Sequence, residues 1–240
     1  DGIRDRDVTG VQTCALPICA MVQESTAKHS VPCTLELGGK SPQIVFNDAD
    51  LDKAIPIIVK AITQNAGQTC SAGSRLLIQE DIYDKVVTRV AEAFKKVRVG
   101  TPEMDLDCGP IVNKKQFDRV NGFIDDAIQS GVPLLARATL AEGVSKDGYF
   151  VAPALFGAVP RDHRLACKEV FGPVLSAMSF KDEEDAVQLA NATEYGLVSG
   201  IWTENGGRQQ RLAKRMQSGQ VFINCYGAGG GVELPFGGMK

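Results

Sequence analysis

The chain has 240 residues, 44% hydrophobic and 23% charged, the balance of a globular protein long enough to bury a sizeable core. Its net charge of −3 leaves no basic excess for nucleic acid or an anionic membrane, and no apolar run approaches the about 20 residues that a membrane span needs. Its seven cysteines are scattered without a CxxC pair, which argues against a metal site and a disulfide scaffold and for free thiols in a reducing cytoplasm.

The opening DGIRDRD is charged and does not read as a secretory signal. Residues 8–18 (VTGVQTCALPI) resemble the translation of a common sequencing adapter, so residues 1–19, with Cys14 and Cys19, are expected to be non-native. From Pro42 onward strands and helices alternate. Residues 43–46 (QIVF) read as a buried strand, and Asp48 as the N-cap of a helix that Pro56 should kink or delay. Residues 75–79 read as a strand. Helices with apolar residues at helical spacing follow over 81–97 and 114–131, the second closing at Gly131. Short strands are predicted over 133–136, 149–151, 154–159 and 174–180. Asp182 caps a helix running through Asn191, 198–202 is a strand, 206–217 a basic amphipathic helix, and 221–224 a last strand. This alternation predicts an α/β fold of three layers, a largely parallel sheet covered by helices. No internal repeat or low-complexity linker interrupts it. The chain ends at Lys240, two residues past PFGG, which reads as truncation.

Cys70 lies in GQTCSAGSR, where small neighbours let a substrate reach the sulfur and a helix-to-strand loop can present it at a cleft. A lone cysteine is more often buried and inert, and Cys33, Cys108, Cys167 and Cys225 are read that way; the flanking residues favour a nucleophile at Cys70. A base must serve it. The two histidines, His29 and His163, lie in polar stretches and are expected to be solvated, which counts against a cysteine–histidine hydrolase. Glu36 sits between Leu35 and Leu37, where partial desolvation should raise its pKa towards the working range, and Gly38 and Gly39 admit a close backbone or cofactor. The run at 227–231 lacks a following helix and is no dinucleotide fingerprint; it reads as a flexible substrate-loop segment.

LELGGKSP (35–42), GQTCSAGSR (67–75), EVFGPV (169–174) and PFGG (235–238), in this order and with Glu36 placed 34 positions before Cys70, resemble the aldehyde dehydrogenase superfamily from about Val31 to Lys240. The resemblance implies residues 20–36 at the end of a cofactor-binding domain and 37–240 as a catalytic domain without its last oligomerisation strand. It implies NAD or NADP as cofactor, a small-molecule aldehyde as substrate and a homodimer or homotetramer. Cys70 is then the nucleophile and Glu36 the general base. Glu169 and Phe171 contact the nicotinamide ribose, Leu37 and Gly38 run beside it, and Thr69, Ser71 and Phe236 line the aldehyde tunnel. For Glu169 the alternative is a turn carboxylate, and for Phe236 core packing. An inactive catalytic fragment and a cofactor-independent cysteine esterase are the rival readings.

Overall fold

The structure is a computed structural model that describes residues 15–145, 147–227 and 236–240. Cys14, the run at 228–231 and Pro235 lie outside the described residues. The first element, α1 (Ala15–Lys28), covers the end of the adapter-like stretch. There follow β1 (Pro42–Val45), α2 (Leu51–Thr63), β2 (Arg75–Gln79), α3 (Tyr83–Lys96), β3 (Arg98–Val99), α4 (Lys114–Gln129), β4 (Leu134–Arg137) and β5 (Thr139–Leu140). The chain continues through β6 (Ala154–Phe156), α5 (Arg164–Cys167), β7 (Val174–Phe180), α6 (Glu183–Asn191), β8 (Val198–Trp202), α7 (Gly206–Ala213) and β9 (Gln220–Ile223).

Seven strands form one sheet in the order β4-β6-β7-β2-β1-β8-β9; every neighbouring pair is parallel except β4–β6. β3 and β5 make a separate two-stranded ribbon. Parallel strands are buried on both faces, which is why β1, β2, β7 and β8 read as nearly continuous apolar runs. Ile44, Leu76, Leu77, Val174, Leu175 and Ile201 are fully buried among them. From β1 the chain steps through β2 to β7 on one side, then returns through α6 to β8 and β9 on the other. Right-handed crossovers therefore put α2 and α3 on one face of the sheet and α6 and α7 on the other, giving three layers.

Several boundaries differ from the sequence reading, each for a local reason. Asp50, not Asp48, caps α2, accepting from the N–H groups of Asp52 and Lys53 at 3.1 and 3.2 Å. Asp48 instead accepts from Thr203 Oγ1 at 2.7 Å and from Arg208 at 3.0 Å, tying the end of β1 to the start of α7. The helix starts at Leu51 regardless of Pro56, whose missing donor falls on the exposed side of the second turn. Residues 149–151 form no strand: the Tyr149 carbonyl accepts from Ile111 N–H at 2.7 Å within a loop. α7 ends at Ala213, short of the expected 217, because Asn191 draws the chain away, donating to Arg215 O at 3.0 Å and accepting from Gln217 N at 2.9 Å. No helix among the described residues is long and apolar enough to cross a membrane.

Candidate active site

The segments containing Glu36, Cys70 and Glu169 each run directly into the first residue of a strand: β1, β2 and β7. These strands are adjacent and parallel, with Pro42 opposite Arg75 and Arg75 opposite Ser176. Their amino ends therefore share one edge of the sheet, and the three segments meet there. Ligands in open α/β sheets usually lie beyond the carboxyl ends; this cluster occupies the opposite edge.

The nucleophile loop is a wound turn between α2 and β2. Asn65, Ala66 and Gly67 all take left-handed φ values of 51°, 53° and 68°. For a residue with a Cβ that conformation costs roughly 1–2 kcal/mol, so the surroundings must hold it. Asn65 Nδ2 donates to Gln68 O at 2.9 Å, and Gln68 Nε2 donates back to Asn65 O at 3.0 Å. The Gln68 amide also spans to a distant loop, donating to Pro110 O at 3.2 Å and accepting from Val112 N at 2.8 Å. A Cβ on Gly67 would strike the Gly172 carbonyl and the Pro173 nitrogen at 2.7 Å, so this glycine is where the loops of Cys70 and Glu169 touch.

Cys70 emerges half-buried from this turn. A Cβ on Gly39 would run into the Cys70 carbonyl, so the bare backbone before β1 lies directly against the nucleophile. Burial pushes the Cys70 thiol up, the carboxylates of Glu169 and Glu36 push it further, and the backbone N–H groups of Ser71 and Cys70 pull it partly back. Both carboxylates thus lie within electrostatic reach of the sulfur. Glu36 itself is exposed, in an irregular segment and not at a strand end. The expected desolvation by Leu35 and Leu37 is absent, because the two leucines are only half-buried and do not enclose it.

Glu169 is buried, at 3% exposure. Its Oε1 accepts from Gly39 N–H at 3.2 Å, and a Cβ on Gly38 would strike its carboxylate. The loop after it is strained: Phe171 has φ +57°. α4 holds it in place. Gln116, itself 3% exposed, donates to Val170 O at 3.0 Å and Phe171 O at 2.8 Å. Arg119 donates to Glu169 O at 2.7 Å, and Glu169 N–H donates to Tyr195 Oη at 3.4 Å. Behind the site Lys40 is wholly buried, which lowers its amine to about 7. Arg75, also buried, donates to Lys40 O at 2.8 Å and caps α6 through Leu189 O and Ala190 O at 2.8 and 2.6 Å.

The structure thus brings Cys70, Gly38, Gly39 and Glu169 together, with Glu36 within electrostatic reach of the sulfur. Thr69 and Ser71, on either side of Cys70, line a cavity between α2 and the nucleophile turn, and Cys70 is not among the residues of its lining. Leu37 is half-buried on the same segment, and Phe171 sits in the Glu169 loop. Phe236 is not among the described residues lining that cavity; its carbonyl packs against Gly219. Gln68, Gln116, Arg119 and Tyr195 were not singled out in the sequence; their partners are remote in the chain, so no local spacing marks them. His163 is not solvated as expected: its Nδ1 accepts from Leu165 N at 3.0 Å, and its Nε2 lies 2.9 Å from Ser130 Oγ. Of the four cysteines expected to be buried, Cys108 is; Cys33 and Cys167 are half-buried and Cys225 is exposed.

Glu169 is a buried carboxylate of the kind suited to accept from a ribose hydroxyl, and Gly38 and Gly39 lack side chains where the Glu169 carboxylate and the Cys70 carbonyl pack against them.

Residues 5–240 match the model of the aldehyde dehydrogenase family. A crystal structure of a Burkholderia cenocepacia protein assigned as an aldehyde dehydrogenase superposes with a TM-score of 0.88 at 58% identity, covering 92% of this chain and 47% of that one. Betaine aldehyde dehydrogenase from Staphylococcus aureus, in complex with NAD+, gives 0.86 at 31% identity, covering 94% and 45%. The NAD+ complex of an aldehyde dehydrogenase from Bacillus cereus gives 0.84 at 36% identity, covering 93% and 45%. The chain spans a little under half the length of each of these three. With the family model matching residues 5–240 and these solved structures sharing the fold, the chain belongs to the aldehyde dehydrogenase family.

Proposed function

We propose that the whole protein carrying this chain oxidises an aldehyde to a carboxylic acid with NAD or NADP, through a thioester on Cys70. One observation carries the reading: a half-buried cysteine whose backbone packs against the bare glycine at Gly39, with the carboxylates of Glu36 and Glu169 close enough to act on its thiol.

The chemistry follows from what each group can do. Cys70 sulfur adds to the carbonyl carbon, and the carbonyl oxygen becomes an alkoxide. The backbone N–H groups of Cys70 and Ser71, which pull the thiol's pKa partly back, are the donors at hand for that oxygen. A preorganised donor of this kind is worth roughly 3–4 kcal/mol in the transition state. Tethering the substrate to the sulfur holds the reacting carbon at a fixed place. The bound nicotinamide supplies a hydride acceptor. Glu169 and Phe171, with Leu37 and Gly38, would hold it, and the α4 side chains Gln116 and Arg119 fix the Glu169 loop. Glu36, exposed and within electrostatic reach of the sulfur, takes a proton from the water that hydrolyses the thioester.

The esterase reading lacks a partner base. His29 is exposed, His163 is engaged at α5, and neither is among the groups that act on the Cys70 thiol. The test is NADH formation by the whole protein with an aldehyde. Cys70→Ala should abolish it. Glu36→Gln should keep a first burst but slow the steady rate; an undiminished steady rate would contradict the base assignment.

A further inference from the structure

Cys70 stands at the corner of a reverse turn. Ala72 N–H donates to Thr69 O at 3.0 Å, which closes four residues with Cys70 and Ser71 at the bend. A turn of this kind has one weak point. Its central peptide, here the Cys70 carbonyl and the Ser71 N–H, can rotate without opening the closing bond, and rotation carries the Ser71 N–H from one side of the turn to the other. It drives Ser71 to positive φ, a conformation that Asn65 and Ala66 already tolerate in this loop. The Ser71 N–H matters to the sulfur. Burial pushes the Cys70 thiol up, the carboxylates of Glu169 and Glu36 add to it, and among the groups that favour the thiolate the Ser71 N–H is the strongest.

Two contacts hold this turn from outside. The Cys70 carbonyl packs against bare Gly39. The Ser71 carbonyl accepts from the hydroxyl of Tyr226, 155 residues further along the chain, at 2.7 Å. The tyrosine is itself fixed. It lies three residues past the end of β9, beyond left-handed Asn224, whose side-chain amide accepts from Thr203 N–H and donates to Thr203 O at 3.0 Å each. Its ring packs on Phe222 with centroids 5.7 Å apart. It fills the slot left by Gly200 of β8, where a Cβ would come within 2.9 Å of the ring. Burial pushes the Tyr226 phenol up, and the Cys70 thiol pushes it the same way, so the hydroxyl keeps its proton and remains a donor at working pH.

Resting on the reading of Cys70 as the nucleophile, we infer that Tyr226 is a positioning residue: its hydroxyl, through the Ser71 carbonyl, locks the turn in the one orientation that keeps the Ser71 N–H available to the thiolate and to the oxygen of a captured carbonyl. Tyr226 acts through the turn and not on the substrate. Gly39 and Tyr226 divide the task, one holding the peptide before Ser71 and the other the peptide after it.

The test is Tyr226→Phe, which keeps the ring and its packing on Phe222 and Gly200 and removes only the hydroxyl. The rate of Cys70 alkylation by iodoacetamide is followed against pH by peptide mass spectrometry on the 240-residue chain. A hydrogen bond to a charged group shifts a pKa by about one to two units. Weakening the one from Ser71 should therefore move the midpoint of the Cys70 profile up by about one unit and slow alkylation at neutral pH about tenfold. Exposed Cys225, next to the substituted residue, is the internal reference, and its profile should not move. Mere loosening of the loop does the reverse: water reaches half-buried Cys70, the burial that holds its thiol up is relieved, and the midpoint falls. An unchanged midpoint, a lower one, or an equal shift at Cys225 overturns the assignment of Tyr226 and leaves the reading of Cys70 intact. NADH formation by the whole protein that survives Cys70→Ala would overturn the nucleophile reading itself, and the role of Tyr226 in catalysis with it, whatever the alkylation profile.

Discussion

The Glu169 loop should depend on one buried amide. Gln116 Nε2 donates to two carbonyls, Val170 O and Phe171 O, in a segment where Val170 is 1% exposed and Phe171 is left-handed. Gln116→Leu keeps the size of the side chain and removes both bonds. Each buried carbonyl left without a donor costs about 1–3 kcal/mol. Relaxation of Phe171 out of its left-handed conformation returns roughly 1–2 kcal/mol. The net loss should be about 2–3 kcal/mol. Trp202, the only tryptophan and 1% exposed, gives a fluorescence signal for urea unfolding. With a denaturant slope near 3 kcal/mol/M, the midpoint should fall by roughly 0.7–1 M. Gln116→Glu should lose more, because it sets an acceptor against two acceptors. A Leu variant within 0.5 kcal/mol of wild type, or a Glu variant more stable than the Leu one, would refute the reasoning.

Gly67→Ala should destabilise the chain by more than about 2 kcal/mol, since φ +68° and the Gly172 carbonyl both oppose a Cβ; urea midpoints check this, and a neutral substitution would show that the two loops do not touch there. Lys40 makes stability depend on pH. Its folded pKa of about 7 lies below the ordinary 10.5, so between these values the unfolded chain binds the extra proton and stability rises with pH. Lys40→Met should be more stable than wild type at pH 7, and the gap should close by about 1.4 kcal/mol per pH unit above it. A gap that does not change between pH 7.5 and 9.5 would mean that Lys40 is not a buried neutral amine.

The elements that could be read from the sequence were those whose signal is local. β7 and β8 match the expected boundaries, because strands buried on both faces leave unbroken apolar runs. Asp182 caps α6 as expected, accepting from Asp185 N–H at 2.9 Å, since an N-cap acts over three residues. What depends on distant partners was not legible. Phe171 and Ala66 carry no sign of a left-handed backbone, because the groups that impose it sit on α4 and at Pro110 and Val112. The exposure of Glu36 was misjudged because flanking leucines enclose a carboxylate only when the backbone is a paired strand, and here it is not. Lys40 resembles a surface lysine in sequence; its burial comes from the packing of β1 beneath the α6 terminus that Arg75 caps.

The claim that Cys70 is the carbonyl-capturing group is open to direct observation. An aldehyde labelled with 13C at its carbonyl carbon, mixed with the 240-residue chain, should give a thiohemiacetal carbon resonance by NMR. That resonance should persist in Cys225→Ala, which removes the exposed thiol, and vanish in Cys70→Ala. A signal that survives the loss of Cys70, or one that disappears with Cys225, would contradict the account.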